Sequence, residues 1–117
     1  MQQSEITQRV IGILTKGAEW QRLLNEDPDR TDIQTDGTVD EFVREILPRT
    51  MDVPGDASPE VIANAVVEEM RPAIGKMIAG FVAAFMELAD EHDSTQPEVT
   101  STDVLRALAL RAPDFDD

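Results

Sequence analysis

The sequence predicts an all-α protein of four to five helices packed around one long, kinked, very apolar central helix at about 59–92. Three observations carry that prediction. Apolar residues recur every three to four positions in four stretches, the spacing of one helix face. A Ser or Thr able to cap a first turn opens each of them. No stretch alternates apolar and polar residues as a half-buried strand would. With one Trp, four Phe and no Tyr, the core has to be aliphatic. A chain of 117 residues is read as one domain over 1–117, long enough for a modest core and too short for two.

The first helix is expected over about 5–25, where Ile6, Val10, Ile13, Leu14 and Leu24 share a face and Ser4 stands ready as a cap. Gly12 and Gly17 weaken it, and Thr15-Lys16-Gly17 marks a point where it is expected to break. An acidic loop with Pro28 follows to Gly37. Thr38 then opens a second helix with the Thr-x-x-Glu capping-box pattern completed by Glu41. Its apolar face is Val39, Phe42, Val43, Ile46 and Leu47, and Pro48 stops it.

After the Pro54-Gly55 turn, Ser58-Pro59-Glu60 supplies a cap, a Pro at the first helical position and an acid near the positive end of the dipole. The third helix that begins there runs to about His92, with Pro72 as an expected kink. Its broad stripe is Ile74, Met77, Ile78, Phe81, Val82, Phe85, Met86 and Leu88. The other side is small rather than polar: Ala73, Gly75, Ala79, Gly80, Ala83 and Ala84. A helix apolar all round is buried all round, and small residues four apart let another helix approach closely. We therefore expect a homo-oligomer, with Met77, Ile78, Gly80, Phe81, Ala84 and Phe85 as its interface. A fourth, short helix follows the cap Thr100-Ser101-Thr102-Asp103, buries Val104, Leu105 and Leu108, and ends at Pro113.

Charge narrows the function classes. Twenty-four acids against ten cations give a net charge of −14. That disfavours direct binding to duplex DNA or RNA, where Lys and Arg must displace counterions from phosphates, and binding to an anionic membrane surface. Two explanations are left. The acids form a surface that mimics a polyanion or docks on a basic partner, or they keep the protein hydrated in a high-salt cytoplasm. Two lysines, Lys16 and Lys76, against eight arginines, with Asp in excess over Glu, favour the halophilic explanation. Without cysteine there is no disulfide, thiolate chemistry or cysteine-ligated zinc. No signal peptide is visible at the start, and the most apolar stretch, 73–86, reads as too short to span a bilayer. The expected location is the cytoplasm or a virion.

Three motifs bear on chemistry. Asp32-x-Gln34-x-Asp36-Gly37-x-x-Asp40 has the front half of an EF-hand loop, but Val43 stands where the bidentate Glu belongs. Glu87-Leu88-Ala89-Asp90 places two carboxylates on one helix face and resembles half of the magnesium site of the all-α, MazG-like nucleotide pyrophosphohydrolases. The matching Glu-x-x-Glu is missing. His92, the one histidine, sits at a helix C-terminus where a positive ring complements the dipole, and Ala89 denies it the Glu-x-x-His di-iron pattern. No catalytic, cofactor or metal residue is therefore assigned. Phe115, in the acidic tail, is read as an exposed residue with docking on a partner as the alternative.

The short–long–short helix order over 39–110 is similar to a histone fold, and the run Val99-Thr100-Ser101-Thr102-Asp103-Val104-Leu105-Arg106-Ala107-Leu108 resembles the start of its last helix. The resemblance implies dimerisation by crossing of the central helices. This chain departs from that fold in the length of the central helix, in Pro72, in the extra N-terminal helix and in lacking basic DNA contacts. The expected function is that of a non-enzymatic assembly protein, viral or accessory in type, which binds itself and another protein. The alternatives are a nucleic-acid mimic, an acidic histone-fold-like subunit and a magnesium-dependent pyrophosphohydrolase.

Overall fold

The computed structural model describes residues 1–31 and 37–116. They form four α-helices, α1 (Gln3–Glu26), α2 (Thr38–Ile46), α3 (Pro59–Ser94) and α4 (Ser101–Arg111), with a final turn of 3-10 helix at Ala112–Phe115. No strand occurs among the described residues. The chain clusters into two compact units, Met1–Val82 and Ala83–Asp117, and the division falls inside α3. Each is described by itself.

In the first unit, α1 is continuous where a break at Lys16-Gly17 was expected. Each helical glycine costs about 1 kcal/mol against alanine, an amount that the burial of Ile6 and Val10 on the same helix outweighs. Ser4 does not cap it: the helix starts at Gln3, and Gln2, in extended conformation, makes no side-chain cap bond. The capping box expected from Thr38 is also displaced. Thr38 is the first helical residue and Gly37 is the N-cap, at φ +79°, a left-handed conformation that glycine adopts without steric cost.

The core of this unit is small and made by three elements. Ile6, Val10 and Phe42 are fully buried, with Ile13, Ile46, Met77 and Phe81 packed against them. Arg9 of α1 donates to Glu45 of α2, N···O 2.6 Å. Gln3 Nε2 donates to the Lys76 carbonyl at 3.0 Å, tying the start of α1 to α3. Where the two helices meet, α3 presents Gly80, the one buried residue of that helix. A Cβ there would stand 3.1 Å from Val10 Cγ2.

α3 opens as its sequence implies, with Ser58 Oγ accepting from Val61 N at 3.2 Å. It runs as one helix through Pro72. The proline has no N–H for the Glu68 carbonyl, and Glu68 lies on an exposed stretch of the helix, where a missing backbone bond costs less than it would in a core.

The second unit is the end of α3 turned back into α4. Gln96, at φ +53°, is a non-glycine residue in the left-handed region, and Pro97 after it cannot continue a helix. Five side chains fix the corner: His92, Asp93, Thr100, Ser101 and Asp103. His92 Nε2 lies 2.7 Å from the Val99 carbonyl; a carbonyl only accepts, so Nε2 carries the proton. Asp93 accepts from Ser101 twice, from the hydroxyl at 2.6 Å and the backbone N–H at 2.8 Å. Thr100 and Asp103 complete the capping box that the sequence implies. α4 itself buries no residue.

Candidate functional site

The feature that sets this chain apart is the apolar surface it leaves uncovered.

In the first unit, α3 carries two distinct apolar stripes. One, through Ala73, Met77, Gly80 and Phe81, is buried or half-buried and turns toward α1 and the core. The other follows Val67, Ile74, Ile78 and Val82, at intervals of seven, four and four residues, which keeps them on one side of the helix. Among the described residues nothing covers it: Val67 is 53% exposed, Ile78 54% and Val82 49%. A shallow apolar groove lined by Val67, Met70, Arg71 and Ile74 lies at its N-terminal end. In the second unit, Phe85, Met86 and Leu88 of α3 and Val104, Leu105, Leu108 and Leu110 of α4 are also exposed.

The six residues that the sequence nominates for an interface therefore fall into separate settings. Met77, Gly80 and Phe81 serve the internal contact with the core. Ile78 is open in the first unit. In the second, Phe85 is open and Ala84 half-buried. The sequence reading passed over Val67, whose position seven residues ahead of Ile74 marks it as part of the open stripe.

The motifs with chemical potential do not gather. Among the described residues no three His, Asp or Glu side chains come together in a way that could hold a metal. Asp32, Gln34 and Asp36 of the EF-hand-like run lie outside the described residues. Glu87 and Asp90 are exposed, and His92 is engaged with Val99 in the α3–α4 corner. Two carboxyls in that corner have titrations displaced below the ordinary value of 3.8. Asp93 is lowered first by the Ser101 hydroxyl and then by the Ser101 N–H, and Asp103 first by the Thr100 N–H and then by its hydroxyl. These bonds build helix caps rather than a reaction centre.

One expectation about α3 needs correcting. Its apolar part extends beyond 73–86: an 18-residue window reaches a mean hydropathy of 1.4, so among the described residues this one helix is long and apolar enough to cross a membrane. Only 11% of that window is buried. Comparison of the chain with protein-family models, with curated proteins and with solved structures gave no match.

Proposed function

We propose that this chain is a non-enzymatic assembly protein that works as a homo-oligomer, paired through the Val67–Ile74–Ile78–Val82 stripe of α3. The uncovered stripe is the observation that carries the reading. Soluble monomers rarely expose contiguous apolar patches beyond a few hundred Å². A second copy is the simplest partner, because one self-complementary patch then covers itself twice.

Sedimentation velocity tests the proposal. The native chain should sediment as a dimer or larger species, and Ile78→Asp, which puts a charge at the middle of the stripe, should sediment as a monomer with its helical circular dichroism retained. A native chain that is monomeric at micromolar concentration sinks the reading. So does partition of the native chain into neutral lipid vesicles with no self-association, which would assign the stripe to a bilayer.

A further inference from the structure

The second feature that the fold leaves unexplained is a pair of arginines. In a chain with 24 acids for 10 cations, a cation has carboxylates in excess. Arg9, Lys16, Arg22, Arg71 and Arg106 each pair with one. Arg44, Arg49 and Arg111 meet no carboxylate among the described residues, and the first two line the same open pocket of about 690 Å³ in the first unit. Its other walls are Arg9, Glu5, Gln8, Glu45, Met1 and Leu47. Glu45 is already engaged by Arg9 at 2.6 Å. The pocket thus offers two uncommitted guanidiniums beside the apolar side chains of Met1 and Leu47. Guanidinium forks match carboxylates in shape and charge, and the apolar wall asks for a hydrophobic group between them.

We propose that this pocket binds an acidic–aromatic peptide segment, and that its occupant is Asp114-Phe115-Asp116 of a second copy. This deepens the self-assembly reading and rests on it. The segment has the required chemistry, with a Phe 68% exposed between two exposed acids, in a turn of 3-10 helix that contributes nothing to a core. Charge complementarity points the same way. The second unit holds nine acids and two arginines in 35 residues, a net of −7. Copies of so acidic a protein repel one another, whereas the pocket lining, with Arg9, Arg44 and Arg49 against Glu5 and Glu45, carries one net positive charge. Exposed ion pairs are individually weak and screened by salt, so the free segment binds in roughly the 0.1–1 mM range and gains from the high effective concentration inside an oligomer.

The test is an NMR titration of the isotope-labelled full chain, in its Ile78→Asp form, with the synthetic peptide Arg-Ala-Pro-Asp-Phe-Asp. Reading binding on that variant separates this proposal from pairing through α3, whose failure would show instead as an Ile78→Asp chain that sediments as a dimer at micromolar concentration, well below the affinity expected of the free segment. We expect saturable shifts at Arg44, Leu47 and Arg49. Affinity should fall at least about tenfold with the charge reversals Arg44→Glu and Arg49→Glu together, both on exposed side chains, and also when the peptide Phe is replaced by Ser. Three results would overturn the proposal. The first is affinity unchanged by the arginine reversals. The second is inorganic phosphate shifting the same residues as strongly as the peptide, which marks a general anion site. The third is a gain in peptide affinity when Asp114 and Asp116 of the labelled chain are changed to Lys, which places the segment in its own pocket.

Discussion

Substitution of Gly80 and Gly75 separates the two faces of α3 experimentally. Both glycines are within the same helix, so replacing either by Ala gains about 1 kcal/mol of helix propensity. Their surroundings differ. A Cβ on Gly75 meets nothing within 4 Å, whereas one on Gly80 stands 3.1 Å from Val10 Cγ2, 3.5 Å from Thr7 Cα and 3.6 Å from Thr7 Oγ1. Val10 is fully buried and β-branched, so its side chain has essentially one rotamer on a helix and cannot swing aside. Thr7 Cα is backbone. Relief therefore requires α1 to shift, and overpacking of this kind costs about 1–3 kcal/mol. Gly80→Ala should be about 1–3 kcal/mol less stable than Gly75→Ala, which for a chain of this size is a gap of roughly 4–12 °C in melting temperature. Gly80→Leu should fall further, because a larger side chain separates α1 from α3 altogether. Thermal melts by circular dichroism at one fixed protein concentration read the difference and hold any oligomer linkage constant. If Gly80→Ala melts as high as Gly75→Ala, the α1–α3 crossing described here is wrong. If instead Gly80→Ala changes the oligomeric mass while the monomer fold keeps its stability, Gly80 faces a second copy rather than α1.

Further predictions follow from the same structure. Phe42→Ala empties the centre of the three-residue core and should cost about 3–5 kcal/mol, read as a lowered urea midpoint; a loss below 1 kcal/mol contradicts its place there. The α3–α4 corner should loosen in acid. Asp93 and Asp103 titrate below 3.8 in the folded chain, so their contribution is present above that pH and disappears as pH falls through the lower folded values. Carboxyl carbon NMR should therefore show both groups titrating below 3.8, and an Asp93 midpoint at or above 3.8 removes the Ser101 bonds from the account. If the net charge of −14 is a high-salt adaptation, the melting temperature should climb steeply between dilute buffer and molar potassium chloride as ions screen self-repulsion; a flat response favours a dedicated acidic surface.

Much of the local structure was legible in the residues themselves. Ser58-Pro59-Glu60 and Thr100–Asp103 locate two helix starts because a cap is a contact between neighbours in sequence. The two expected caps that do not form, Ser4 and Thr38, are the second and the first residue of helices whose starts are set elsewhere, in the second case by the left-handed Gly37. Gly17 did not break α1, because burial of Ile6 and Val10 several turns away decides whether that helix persists. His92 was legible as a helix-end residue, but its bond to Val99 depends on the turn at Gln96, which no local rule supplies.

The sequence by itself determined that this chain is helical, that α3 is apolar on more than one side, and that its surface is strongly acidic. Those properties depend on residue type and on a period of three to four residues. Only the tertiary structure decided which side of α3 its own chain covers. Periodicity marks every apolar stripe on a helix and says nothing of which one meets α1. That choice was made at Gly80, where the absence of a side chain lets Val10 and Thr7 come close. The crossing buries Val10 with Ile6 and Phe42 and leaves Val67, Ile74, Ile78 and Val82 uncovered.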